Sequence, residues 1–430
     1  MIAAPVIVKV LVTLGLILLI NRLIRELLAS VLLGTVLLGL WFGHGLPAIG
    51  AIAWRRASEP DNLLLALVLL QVVWLSSLMA DGGVMKDLVA EVRRRLPHRL
   101  SFAVLPAVIG LLPMPGGALF SAPMVDRCDP DGRLSGMFKT LTNHWFRHIW
   151  EYWWPLYPGV ILALELTRLD IWQFIAAQLP VTLAAVGIGC LLLLRRIPRG
   201  VARKAEADPP TGRRRFLGLV APILTVIGAF ALIQIAVPAA QRASRYLPLA
   251  VGLCLALLVL QLQRRLPLSA WGKAVVSWKA LQIVLLVVAV RIYAAVIEAP
   301  LPEGPLPVAV LRREMIAAGI PEILLTALLP FLCGFTMGST VGMVGASFPL
   351  ALSLLGPQPA IGRLLAASVL AYGFGYMGEL LSPVHVCLVF SAQYFRTRLL
   401  ASIAALTPPA LLVLAAVTLW HLAIGWILPG

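Results

Sequence analysis

Long apolar runs recur along this chain, and they decide the solvent it folds in. They fall at about 5–20, 27–50, 62–80, 101–125, 136–167 and 171–194, and resume at 216–237, 247–262, 276–297, 321–355, 358–395 and 400–428. A bilayer's hydrocarbon core is about 30 Å thick and takes about 20 helical residues to cross. Composition agrees: 60% of the residues are hydrophobic and 13% charged, against about 25% charged in a soluble domain. Backbone polar groups in lipid need partners within the chain, which leaves helices or a closed barrel. Continuous runs, rather than the alternation of barrel strands, favour helices. The expected fold class is an all-α polytopic membrane protein with about ten transmembrane helices.

The net charge of +16 sits in loops, where it reads as topology and not as a nucleic-acid surface. Five cysteines, at 128, 190, 254, 333 and 387, have no paired spacing and suggest neither a disulfide framework nor a zinc motif. Residues 5–20 are expected to be a retained first span and not a removed signal.

The stretch from Arg195 to Arg215 is the one obvious linker, and the runs on either side of it share a rhythm. A shift of 224 residues puts Pro97 on Pro321, Leu105-Pro106 on Leu329-Pro330 and Gly110 on Gly334. A shift of 228 puts Phe146 on Phe374, Glu151 on Glu379 and Pro155 on Pro383. Two repeats are therefore expected, 1–194 and 216–430, joined by a cytoplasmic basic linker at 195–215. If 101–125 and 321–355 are re-entrant hairpins, each half crosses the membrane an odd number of times and the second is inverted. Tracing outward from a cytoplasmic linker then gives 24 Lys/Arg in inner loops and eight in outer ones, the expected positive-inside bias. Both termini come out external.

Irregular backbone at membrane depth is tolerated only where it lines a cavity or is buried in protein. Gly, Pro and small residues interrupt this chain in four places: Leu112–Met124, Gly334–Pro349, Glu151–Pro158 and Tyr372–Pro383. The last two lie in broken helices at 136–167 and 358–395. Paired interruptions in two halves are the best sequence pointer to a transporter's binding site. Exposed N–H ends hold anions and C=O ends hold cations. Gly116 and Gly117 at one tip, with Ser121, and Ser339 and Thr340 at the other, with Ser347, are candidate substrate contacts. Ser382 joins them from the last break.

A polar cluster, Asn143-His144-Trp-Phe-Arg147-His148-Ile-Trp-Glu151, adds charge. His144, Arg147, His148 and Glu151 share one helix face, and ionisable groups in a span by default mark a function. The functional reading is a basic lining for an anion, from Asn143, His144, Arg147 and His148, with Glu151 carrying a coupling proton. Against it stand a structural Arg147–Glu151 salt bridge and an interfacial belt made by Trp145, Trp150, Trp153 and Trp154. Glu379 has no basic neighbour nearby in sequence and is the second candidate for ion coupling. Arg291 is expected to snorkel from the outer end of its span. A metal triad or a membrane-embedded enzyme built on His144, His148 and Glu151 is the alternative from a different class.

Leu112-Pro-Met-Pro-Gly-Gly-Ala-Leu-Phe-Ser-Ala-Pro-Met124 and Asn143-His-Trp-Phe-Arg-His-Ile-Trp-Glu-Tyr152 resemble an uncharacterised family of prokaryotic integral membrane proteins, catalogued as a domain of unknown function. The resemblance covers the whole chain. That family is similar to the ion-transporter superfamily of gluconate, lactate, citrate and dicarboxylate permeases. The resemblance implies inverted repeats, each with a re-entrant hairpin and a broken helix, a midplane site and elevator-like movement, often in a homodimer. The superfamily's dicarboxylate carriers have Ser-Asn-Thr at their hairpin tips. Here the tips read Pro113-Met-Pro-Gly-Gly117 and Met337-Gly-Ser-Thr340, so neither substrate nor coupling ion carries over. The expectation is a non-enzymatic permease of a small organic anion in a prokaryotic inner membrane, coupled to a proton or sodium ion, with no cofactor, no resident metal and no nucleic-acid partner.

Overall fold

The computed structural model describes residues 4–113, 117–197, 213–237, 244–302, 304–356 and 358–428. Among them every regular element is helical and no strand occurs. The chain is a polytopic α-helical membrane protein. Seven helical stretches are long and apolar enough to cross a bilayer, or eight if one bent pair counts as a span. They are α1 (Val6–Ile24), α4 (Pro60–Asp81), α10 (Ile171–Leu192), α11 (Arg213–Ala236), α12 (Leu247–Arg264), α13 with α14 (Leu268–Val275 and Trp278–Glu298) and α20 (Leu399–Ile427). The sequence reading counts three further crossings. One is α2 (Leu27–Trp41), cut short by the turn into α3 (Leu46–Ala57). The other two are the interrupted segments.

The interruptions fall where glycine and proline put them. Segment 101–125 is two helices, α6 (His98–Gly110) and α7 (Ala118–Asp126); segment 321–355 is also two, α16 (Glu322–Met337) and α17 (Thr340–Ser353). In each pair the arms pack on one another. The longest arm has 16 residues, about 24 Å at 1.5 Å per residue, short of the bilayer's hydrocarbon core. Pro97 and Pro321 stand at the N-caps of α6 and α16, and Pro106 and Pro330 lie inside them. Short amphipathic helices precede both hairpins: α5 (Val84–Arg95) and α15 (Pro307–Ala317). α15 meets α16 at a bend of 112°. Glu314 of α15 accepts hydrogen bonds from the N–H groups of Val6 and Ile7 at 2.9 and 2.8 Å, satisfying the open N-terminus of α1.

Segment 136–167 splits into α8 (Gly136–Arg147) and α9 (Pro158–Thr167), and 358–395 into α18 (Ile361–Leu380) and α19 (Val386–Tyr394). α6 and α8 touch through bare backbone. A Cβ on Gly110 would collide with the carbonyl oxygen of Arg147, and Trp150 Nε1 donates to Ala107 O at 2.8 Å. α16 and α18 repeat this: a Cβ on Gly334 would strike the carbonyl of Gly375, and one on Gly378 that of Phe331.

Two expectations are corrected. Arg291 does not snorkel. It is buried in α14 and held by Glu59 at 2.7 Å, Glu165 at 2.9 Å and the side-chain oxygen of Asn62. Two of the four tryptophans of the polar cluster, Trp145 and Trp154, are not interfacial belt residues. Trp145 and Trp154 are buried and donate to Ala185 O and Leu111 O. An indole N–H satisfied by a buried carbonyl glues helices together and needs no water.

Candidate functional site

α8 stops at Arg147 because the next residues do not close helical bonds. His148 is its C-cap, and the chain runs in turns to Pro158, which opens α9 at a position where a missing N–H costs nothing. α18 stops at Leu380. Ser382 and Pro383 carry the chain to His385, the N-cap of α19. Each break leaves carbonyls without helical partners, and side chains of the opposite helix fill them. Tyr372 Oη donates to Glu151 O and Tyr376 Oη to His148 O, both at 2.7 Å. His144 Nε2 meets Leu380 O at 3.0 Å. The two broken helices thus lie side by side with their open ends interlocked.

Between these ends sits a network of charged and titratable groups, all buried. Arg147 Nη1 lies 2.9 Å from His148 Nε2 and 3.7 Å from Glu151 Oε1. Glu151 Oε1 is 3.8 Å from His148 Nε2, and its Oε2 accepts from the Thr340 hydroxyl at 3.4 Å. His148 Nδ1 contacts His144 O at 2.5 Å. His385 Nε2 is 3.1 Å from His148 Nε2; its Nδ1 is 3.1 Å from Gly338 O and 3.4 Å from Glu379 Oε1. An unbroken chain of polar contacts therefore runs from Glu379 through His385, His148 and Arg147 to Glu151. Both hairpins touch it. The Arg147 guanidinium packs on Gly117, where a Cβ would come within 2.5 Å of Nη2, and Gly338 and Thr340 supply the second tip.

Of the residues expected from sequence, the contacts join His144, Arg147, His148, Glu151, Thr340 and Glu379, with Gly117 beside them. Asn143 donates to Ser391 Oγ at 2.8 Å. Its Oδ1, Ser121 Oγ, His144 Nδ1 and Glu379 Oε2 are buried polar atoms without a hydrogen-bond partner among the described residues. Such atoms are uncommon, and each calls for a reason. Ser339 caps α17, accepting from Gly342 N. Ser382 Oγ accepts from Val384 N and orders the second break. Ser347 is held within α17, its hydroxyl on Met343 O, and is not part of the cluster. Gly116 lies outside the described residues.

Glu379 does not stand without a basic partner, as its sequence neighbourhood implies, because His385 folds back onto it from beyond the break. Sequence reading gave no role to Tyr372, Tyr376 or His385. A signal existed: the 228-residue shift that pairs Glu151 with Glu379 also lays His144 on Tyr372, His148 on Tyr376 and Tyr157 on His385. Ring nitrogens of His144, His148 and His385 lie within 4.8 Å of one another, a spacing a metal could bridge. A metal bound there would displace the contact of Arg147 Nη1 on the Nε2 of His148.

Residues 7–425 match a single family model, described as a protein of unknown function (DUF401). The chain belongs to that family. Among curated proteins nothing matches. Among solved structures, the chain is similar to the crystal structure of the Alcanivorax borkumensis YdaH transporter, described as having an unusual topology. The TM-score is 0.50 at 17% identity, over 89% of this chain and 88% of that one. At that identity the likeness speaks for the fold.

Proposed function

We propose that this DUF401-family protein is a secondary transporter, an ion-coupled permease of a small organic anion working by elevator-like alternating access. The observation that carries the proposal is the meeting of two broken helices, one from each half, over a buried guanidinium, three imidazoles and two carboxylates, with both hairpins against them. A soluble anion would find in Arg147 a bidentate partner. Gly117, which packs on the guanidinium, and Ser121, Asn143, His144, His148, Ser339, Thr340 and Ser382 are the further candidate contacts. Glu151 and Glu379 are the candidate coupling groups.

What supports two inverted repeats is the recurrence of contacts at the sequence offsets. The Gly110–Arg147 approach corresponds to Gly334–Gly375, and Ala107–Trp150 to Phe331–Gly378. Fold likeness to a transporter agrees with this reading, and a place in the ion-transporter superfamily is part of the proposal. The topology we favour sets 195–215 in the cytoplasm and both termini outside the inner membrane.

The test is a thermal-shift screen of purified protein against mono-, di- and tricarboxylates at pH 6 and pH 8, followed by uptake into proteoliposomes under a pH gradient. Stabilisation by at least one acid, lost in Arg147→Gln, is expected. If no acid stabilises the protein and none enters vesicles, the proposal fails.

A further inference from the structure

The heavy-atom contacts around His385 point to its protonation. A guanidinium only donates. Arg147 Nη1 at 2.9 Å therefore requires a lone pair on His148 Nε2. That assignment agrees with the other side of the ring, where His148 Nδ1 faces His144 O and must carry the hydrogen. His148 is thus a neutral acceptor at Nε2. His385 Nε2 lies 3.1 Å from that same atom, where an N–H would share the His148 lone pair with Arg147 and a bare lone pair would be repelled. His385 Nδ1 faces Gly338 O at 3.1 Å. A carbonyl only accepts, so Nδ1 carries a hydrogen as well. Both ring nitrogens of His385 are donors, which makes the ring an imidazolium.

Charge balance is compatible with the same assignment. Arg147, Glu151 and Glu379 are all buried, and the count that follows takes both carboxylates as ionised. One further positive charge makes the set neutral, and buried net charge is costly. The groups facing His385 are Glu379 of α18, His144, Arg147, His148 and Glu151 of α8 and its break, and Cys387 of its own helix. Moving the proton onto Glu379 would set the His385 Nδ1 lone pair against Gly338 O, or leave two Nε2 lone pairs facing each other.

We propose that His385 is a proton-binding site, storing one proton as an imidazolium clamped between Glu379 and His148 and bridging the two broken helices. The proton's place rests on hydrogen-bond geometry; its role as the coupling ion rests on the transport reading above. Release needs no other reactant. Nδ1–H can pass to Glu379, or Nε2–H to His148, as the helix ends slide, and the acceptor then carries the proton onward.

The test reads protonation directly and needs no substrate. Purified protein with ¹⁵N-labelled histidine is examined by NMR at pH 7.5 and 8.5, with metal content measured on the same sample. Of six histidines, one ring is expected to show imidazolium nitrogens at both pH values. The signal should be absent in His385→Gln and kept in His421→Gln. In His148→Gln, whose amide oxygen can still accept, it should persist. Circular dichroism checks that each variant is folded. All six rings neutral at pH 7.5, or stoichiometric metal bound, would overturn the proposal. If instead no organic anion is ever moved, the NMR result still decides whether the proton is there.

Discussion

At the scale of single residues, the cluster is a set of charges that must compensate one another without water. Glu379→Gln keeps size and packing but cannot ionise. The variant should fold normally, yet under the transport reading accumulation of an anion against a pH gradient should fall to the level of simple equilibration. Normal accumulation would exclude a coupling role. Gly117→Ala presses a methyl group against the Arg147 guanidinium. The guanidinium, at the end of a flexible side chain, must shift, so under the transport reading anion affinity measured by thermal shift should drop while the melting temperature of the free protein stays close to that of the parent. The sequence made Arg147, His148 and Glu151 conspicuous because they lie on one helix face within two turns. It hid the partnership of Glu379 with His385, since spacing across a helix break does not follow helical geometry. Tyr372 and Tyr376 were hidden differently. Buried tyrosine looks apolar in a sequence, and its hydroxyl acquires meaning only when the carbonyl it serves is known.

At the scale of elements, close backbone approach holds the broken helices to the hairpins. Gly334→Ala and Gly378→Ala each drive a methyl group into a carbonyl oxygen of the facing helix. Neither oxygen can rotate away, so each variant should lose about 2–3 kcal/mol, seen as a fall in melting temperature, while Gly218→Ala, with open space around it, should lose nothing. Arg291→Met leaves Glu165 without its ion-pair partner, while the partly exposed Glu59 keeps Arg56 at 3.1 Å. Breaking such a pair costs about 3–5 kcal/mol when fully buried, and the exposure of Glu59 puts the expected loss at the lower end. Where the helices break was readable from Pro-Gly-Gly and Gly-Ser-Thr, because those residues cannot continue a buried helix. The burial of Arg291 was not readable. Its acids lie more than a hundred residues away, and in sequence the arginine looks like any other near a helix end.

At the scale of the molecule, an elevator requires the hairpins and broken helices to slide as a body past the remaining helices. Gly345 of α17 lies against Val290 of α14; a Cβ built on the glycine stands 3.5 Å from the valine Cβ, within the range a disulfide spans. A Gly345→Cys/Val290→Cys variant, in a background with the five native cysteines replaced, should cross-link on oxidation. Under the transport reading it should then lose uptake and regain it with reductant. Full uptake in the cross-linked protein would mean that α17 does not move against α14. The sequence count of about ten crossings stands against seven or eight stretches long enough to span. The class was legible from apolar length alone, since lipid leaves the backbone few alternatives. How the halves dock was not, because docking depends on which carbonyls are left open.

The tyrosines of α18 carry that docking furthest. Each hydroxyl stoppers an oxygen belonging to the first half of the chain, and a histidine of that half returns the favour. Neither half can seal its own frayed end. Fragments cut within 195–215 and made separately should each be degraded, while the same fragments made together should find one another and assemble into a folded whole.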